Sequence, residues 1–449
     1  MEFEGQNVLV LGLGVSGRSA ANYLAARGAR VVAADERPID AISGLDELGS
    51  KIDLRVGAPF PNLDDHDLIV PSPGVPAARF TDCKAPVRGD IELCARALPI
   101  PIIAVTGTNG KSTVVKLIEA MARAAGLRAR AAGNVGLPAL ELVGEPLDLA
   151  ILEVSSFQLE SVDSFAPRTA MILNISPDHL DRHGDLEGYR AAKARLFEHQ
   201  SEGMSAIVNG DDPLCASLEL PSGVERLEFR RRTPVEAGAW LEGSNVVVRR
   251  GNEMQRFDLN GAACLASDAD NVLAAVLALA TLDLDLAAAT AALASFEGLP
   301  HRCELVAEVA GVRYVDDSKA TNIGAAARSI DSASGDLLWI AGGRHKGGDL
   351  APLVASAKGR VLCAYLIGEA AAELEAALGE SVDCEIAGDL AEAVRRAAER
   401  AAPGQTVLLA PACASFDQFD SFEDRGRAFK RAALALGATD TTHTKADRV

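Results

Sequence analysis

Ile102 to Thr113 reads IIAVTGTNGKST, an apolar run that ends in a glycine loop and delivers Lys111, Ser112 and Thr113. A buried strand, a loop whose amides turn toward an anion and a helix N-terminus together bind phosphate oxygens without a large cationic patch. Gly107, Thr108, Asn109 and Gly110 form that loop, and Lys111 adds charge. Ser112 or Thr113 supplies a hydroxyl to a phosphate-bound Mg²⁺, an ion that prefers oxygen ligands and keeps part of its water. ATP is the expected nucleotide. The common P-loop has four residues between its first glycine and the Gly-Lys pair, whereas only Thr108 and Asn109 separate Gly107 from Gly110 here. A plain turn rich in residues that tolerate positive φ is the alternative, but the strand before and GKST after favour the phosphate loop.

Upstream, residues 6–35 read QNVLVLGLGVSGRSAANYLAARGARVVAAD: a buried strand, a glycine turn, an Ala-rich helix and a second strand ending at Asp35. Gly12, Gly14 and Gly17 match GxGxxG, and Asp35 follows Gly17 by eighteen residues, near the usual distance for an acid that meets a ribose hydroxyl. Taken alone, this βαβ unit indicates NAD or FAD, although fold does not fix function. A further strand ends in Ser72-Pro73-Gly74, where proline's fixed φ and permissive glycine shape a loop at a strand's carboxyl end.

ALPIP at 97–101 reads as a linker, and EGLPHRCELV near residue 300 as a second boundary. Between them, DLAILEVSSFQLE and TAMILNISPDHLDRHG are apolar strands with polar ends, the pattern of a parallel sheet with ligands at its carboxyl edge. Beyond residue 300, YVDDSKATNIGAAARSI, LLWIAGGRHKGGD and TVLLAPACASFDQF repeat the strand-to-loop unit. The expectation is an α/β chain of three domains: Rossmann-like over 1–97, an ATP-binding P-loop type over 98–298, and Rossmann-like again over 299–449. A polar tail after Gly437 is expected to be loose.

The chain has 449 residues, too many for one core. A formal net charge of -19 argues against broad binding of nucleic acid or anionic lipid, so anionic substrates belong in local pockets. The longest strongly apolar helical run, Asn271 to Leu282, falls short of the ~20 residues a bilayer requires. The N-terminus lacks a signal-peptide pattern, and a cytoplasmic protein is expected. The eight cysteines form no CxxC pair and read as reduced thiols.

The ordered set GTNGKST, EVSSFQLE, NISPDHLDRHG, GLPHR, DDSKATN and APACASFDQF resembles the Mur ligases over nearly the whole chain. Folylpolyglutamate synthetases share the phosphate-loop spacing but lack the N-terminal domain. DSKATN and ACASFDQF are similar to the glutamate-adding branch. The resemblance implies ligation of D-glutamate to UDP-N-acetylmuramoyl-L-alanine, with ATP and two Mg²⁺ ions, by a monomer. Residue types alone leave D- against L-glutamate open; those two segments point to D.

The same resemblance gives the GxGxxG loop to a uridine-nucleotide sugar rather than NAD. Leu13, Val15, Ser16, Asp35, Arg37, Ser72, Pro73 and Gly74 then surround the UDP, and Asn134 and Gln158 meet the sugar-peptide. Glu153 and Ser112 become Mg²⁺ ligands, and His179 holds a second ion. Lys193 carries a carbamate, which turns a cation into a metal-binding anion and requires a neutral amine first. Asn271, Arg302 and Asp317 serve the adenosine of ATP. The family's His-Asn pair at the start of the Asn271 helix is replaced by Ser267 and Asp268. Lys319, Thr321, Lys346, Ser415 and Phe422 form the glutamate pocket, where two carboxylates require cations and hydroxyl or amide donors. Lys111, His179 and Lys193 are the expected catalytic residues.

Overall fold

Apolar runs that end in glycine loops build three sheets. The computed structural model describes residues 3–437 apart from 135, 260–262, 283 and 297, and omits the side chains of 263–267. The Ser267 side chain and the tail after Gly437 therefore lie outside what is described. The first sheet joins β1 (Asn7–Leu11), β2 (Arg30–Asp35), β3 (Asp53–Val56) and β4 (Leu68–Pro71) in the order β3-β2-β1-β4, all parallel. The switch point beside β1 puts both the Gly12 loop and Ser72-Pro73-Gly74 at one carboxyl edge, where ligands of open α/β sheets bind.

The second sheet contains β5 (Ile102–Thr106), β6 (Ala129–Gly133), β7 (Leu149–Glu153), β8 (Thr169–Ile172), β9 (Ser205–Asn209) and β10 (Glu225–Arg230). It is extended by β11 (Gly238–Glu242), β12 (Asn245–Arg250) and β13 (Glu253–Asp258). Its order is β13-β12-β11-β10-β9-β8-β5-β7-β6, antiparallel only from β11 to β13. β5 has parallel partners on both edges, and all five of its residues are buried, as a continuous apolar run requires. The helix Lys111–Ala124 that follows buries Val114, Leu117, Ile118 and Met121, one stripe at 3.6-residue period. Each such side chain contributes roughly 1.5–3 kcal/mol by leaving water. The helix is followed by Gly126 at φ +90.

The third sheet contains β14 (Glu304–Val309), β15 (Val312–Asp316), β16 (Leu337–Gly342), β17 (Val361–Ile367), β18 (Cys384–Gly388) and β19 (Thr406–Leu409), in the order β14-β15-β19-β16-β17-β18. Only β14 runs antiparallel to its neighbour. By packing, the chain divides into two units: Met1–Ile175 with Leu180–Glu297, and Ser176–His179 with Gly298–Val449. The first two sheets thus share one unit, and a four-residue piece of the central region belongs with the last sheet.

Candidate active site

The phosphate loop is a held structure. Thr108 N–H donates to the Asn174 carbonyl at 2.9 Å. Asn109 N–H donates to Asn174 Oδ1 at 2.8 Å, and Asn174 Nδ2 returns a bond to the Asn109 carbonyl at 3.0 Å. Gly110 sits at φ +88, and a Cβ there would lie 2.4 Å from Asn271 Oδ1. Only glycine permits that approach. Asn271 in turn donates to Asp268 Oδ1 at 2.9 Å, where the helix Ala263–Ala280 breaks its helical geometry. Asp268, the departure noted in the sequence, therefore anchors the residue expected at the base. Lys111 Nζ donates to the Gly107 and Thr108 carbonyls at 2.8 and 3.0 Å. Asn174 escapes a sequence reading, because only its place just past a strand end marks it.

Beside this loop, β7 brings Glu153 opposite Val105. The Glu153 side chain is 2% exposed; Oε1 accepts from Asn134 Nδ2 at 3.0 Å, while Oε2 is buried with no hydrogen-bond partner. A buried carboxylate oxygen without a donor is costly, and a hard cation relieves it. Glu153 fits Mg²⁺ on that ground, and Ser112, in the first turn of the helix after the loop, offers a hydroxyl. Asn134, expected at the sugar-peptide, is exposed but tethered to this acid.

Lys193 is not the solvated helical lysine that its type implies: it is 1% exposed. Its Nζ donates to the Gly107 carbonyl at 3.0 Å, reaches Thr106 Oγ1 at 3.5 Å and lies 4.4 Å from the centre of the Tyr189 ring. Lys111, Ser112, Glu153, Lys193 and Asn271 thus meet around one loop.

In the first sheet, Gly17 packs so tightly that a Cβ would come 2.0 Å from the Gly12 carbonyl. Gly12, at φ +81, faces Ser72 and Val75. Asp35 Oδ2 accepts from Leu13 N–H at 2.8 Å and from Arg37 Nη2 at 2.7 Å, and Oδ1 accepts from Arg37 N and Nε, both at 3.0 Å. Burial, the largest influence, pushes the Asp35 carboxyl up, but Arg37 and the Leu13 amide together hold it below its ordinary value. Both its oxygens are therefore engaged within the protein, unlike the ribose-binding acid of a dinucleotide site.

Gln158, expected at the sugar-peptide, is engaged inside the protein. It is 1% exposed, its Oε1 accepts from Ser155 N and Oγ at 3.0 and 3.1 Å, and its Nε2 donates to Asp90 Oδ2 at 3.0 Å. Its amide closes a capping box and ties the first sheet's helix Asp90–Ala97 to the central segment.

In the other unit, the loops after β15, β16 and β19 converge on Arg425, a residue of the helix Phe422–Ala435 that is 1% exposed. Its guanidinium donates to Ser318 Oγ and O, both at 2.9 Å, and to the Cys413 carbonyl at 3.1 Å. Burial drives the Arg425 pKa down to about 10. Nothing in its helical sequence context marks this buried cation in advance. It fixes the loops that carry Lys319, Thr321, Lys346 and Ser415. Lys319 Nζ lies 3.8 Å from the centre of the Phe422 ring, and Ser415 is 2% exposed. Lys346 Nζ stands 3.6 Å from Asp178 Oδ1, whose other oxygen accepts from Asn322 Nδ2 at 3.2 Å. His179 follows at φ +53, a conformation that non-glycine residues keep where surroundings impose it. Asp317, 8% exposed, is pushed up to about 6 by burial, against the Ser329 hydroxyl and the Arg302 charge. His301 Nδ1 meets Asp316 Oδ2 at 2.7 Å, which raises the imidazole's pKa.

Three family models match the chain: the Mur ligase MurD-like N-terminal domain over residues 6–89, the Mur ligase middle domain over 105–264 and the Mur ligase glutamate ligase domain over 301–413. A UDP-N-acetylmuramoylalanine–D-glutamate ligase of Geobacter metallireducens is 39% identical, over 97% of this chain and 99% of its own. The ligase of the same name from Anaeromyxobacter dehalogenans is 41% identical, over 96% and 98%. Among solved structures, MurF ligase from Thermotoga maritima in complex with ADP superposes with a TM-score of 0.60 at 17% identity, covering 97% of this chain and 96% of that one; it attests the fold.

Proposed function

The chain belongs to the Mur ligase family, and we propose that it joins D-glutamate to UDP-N-acetylmuramoyl-L-alanine at the expense of ATP. The observation that carries the metal-assisted ATP chemistry is the partnerless buried oxygen of Glu153 beside a phosphate loop that ends in Lys111. An unactivated carboxylate resists amine attack, so the alanyl carboxylate takes the γ-phosphoryl group of ATP and ADP leaves. The neutral amine of glutamate then attacks the acyl phosphate carbon, and the tetrahedral intermediate expels phosphate to leave an amide.

Lys111 offsets charge that develops on the transferring phosphoryl group, a contribution that is electrostatic rather than covalent. Glu153 and Ser112 would hold Mg²⁺, which would supply further charge neutralisation. By the family resemblance, His179 would be a ligand of a second Mg²⁺, and Lys193 would carry a carbamate. Carbamylation joins the neutral Lys193 amine to CO₂, forms one N–C bond and releases one proton. Uridine diphosphate sits between the Gly12 and Ser72 loops, and glutamate's carboxylates lie among Lys319, Thr321, Lys346, Ser415 and Phe422. Asn271, Arg302 and Asp317 serve the adenosine. The enzyme works in the cytoplasm; among the described residues no helix is long and apolar enough to cross a membrane.

The test is ADP release with UDP-N-acetylmuramoyl-L-alanine, ATP and Mg²⁺, comparing D-glutamate, L-glutamate and no amino acid. Release that depends on D-glutamate, with the amide product seen by mass, is expected. L-glutamate preference keeps the chemistry and changes the substrate, and no release with either sinks the reading.

A further inference from the structure

The loop Ser72-Pro73-Gly74 is held from outside its own domain by one arginine. Arg182 lies in the four-residue helix Leu180–His183 of the central region. Its Nε and Nη2 grip Glu160 at 3.1 and 2.6 Å, a bidentate pair in which both side chains are largely buried, at 12% and 13% exposure. The guanidinium carbon lies 4.6 Å from the centre of the Phe157 ring. The donors left over reach three successive carbonyls: Val75 at 2.8 Å, and Pro73 and Gly74 at 3.4 Å each. Glu160 and Phe157 thus fix where the guanidinium stands, and the guanidinium fixes the loop.

Carbonyl orientation sets amide orientation. A trans peptide is planar, with its N–H opposed to its C=O, so a Pro73 carbonyl drawn to Arg182 turns the Gly74 N–H the other way. Loops that receive phosphate or uracil oxygens do so with amides of this kind. We infer that Arg182 is a positioning residue for the uridine-nucleotide substrate: it touches no substrate, and it presets the Pro73–Gly74 peptide plane so that the Gly74 N–H, which is left over once Ser72 N–H donates to the Leu11 carbonyl and Val75 N–H to the Ser72 carbonyl, is aligned before the ligand arrives. This inference rests on the assignment of uridine diphosphate to that loop.

Steady-state kinetics on Arg182→Lys test it. Lysine keeps the charge and loses the planar fork. KM for UDP-N-acetylmuramoyl-L-alanine is expected to rise at least tenfold, with KM for ATP and for D-glutamate within twofold of the parent. Guanidinium ion added to Arg182→Ala should recover part of the lost affinity, which a general packing defect would not allow. Glu160→Gln leaves the arginine in place and frees its aim; it carries the same expectation and serves if the Arg182 variants do not melt cooperatively. An unchanged KM for the uridine substrate in Arg182→Lys and in Glu160→Gln overturns the inference. Calorimetric titration with UDP separates the two levels: UDP that binds parent and Arg182→Lys equally refutes the positioning role alone, whereas UDP that does not bind the parent refutes the loop assignment and the inference with it.

Discussion

The chain has two strand, glycine-loop, helix units, Leu9–Gly17 and Ile102–Lys111, and they solve the approach of an anion differently. In the first, the glycines provide closeness: Gly17 lets the helix pack on the Gly12 carbonyl. Asp35 is spent on the Leu13 amide and on Arg37, and no acid occupies the first turn of the helix Val15–Ala26. In the second, closeness is joined by concentrated charge: Lys111 closes the loop, and Glu153 waits with a bare oxygen. A diphosphate that is only held requires orientation, whereas a triphosphate that is to be cleaved requires charge placed where charge develops. On the proposed assignment of the two loops, the same local fold serves recognition in one place and reaction in the other.

The largest break in that contrast is Lys111→Ala. It should lower kcat for ADP release about a thousandfold, as loss of a phosphoryl-stabilising cation does, while UDP binding by calorimetry stays within twofold. Next, Glu153→Gln should weaken the Mg²⁺ requirement curve by about ten- to a hundredfold, read as activity against Mg²⁺ concentration; an unshifted curve would remove Glu153 from the metal. Gly17→Ala should act on the other loop only. Its Cβ collides with a backbone carbonyl, which costs about 1–3 kcal/mol, and KM for the uridine substrate should rise while KM for ATP holds. Gly110→Ala, strained at φ +88 and pressed on Asn271, should do the reverse.

The smallest effect is a pH slope. Asp317, raised to about 6, binds a proton more tightly when folded than when unfolded. Its contribution to stability is therefore greatest below about pH 4 and is lost as pH rises through 6. Acceptance of a hydroxyl from ATP by its ionised form runs the opposite way, so KM for ATP should increase as pH falls below 6. Asp317→Asn should flatten both curves, in thermal melts of the ligand-free protein and in ATP kinetics.

The sequence makes the phosphate loop legible because strand, glycines and Lys111 are contiguous. Three-domain α/β architecture follows from apolar runs that each end in a polar loop. Glu153 and Lys193 are harder: a strand-end acid and a helical lysine are ordinary on the page, and only burial, at 2% and 1% exposure, separates them from surface residues. The engagement of Gln158 is equally hidden in the sequence, since its amide bonds Ser155 and Asp90 inside the protein. Asn174, Arg182 and Arg425 act through contacts that run 65 to 109 residues across the chain. No periodicity or local motif encodes such distances.

The placement of Ser176–His179 with Gly298–Val449 also bears on how the chain can be divided. Asp178, which meets Lys346 and Asn322, is made more than a hundred residues before either partner. A ribosome that has released the central region has already delivered a part that belongs to the last one, and that part must wait for its frame. Nor does any single scission yield both units whole: a fragment that begins at Gly298 lacks the acid that Lys346 faces, and its complement keeps an acid with nothing to face.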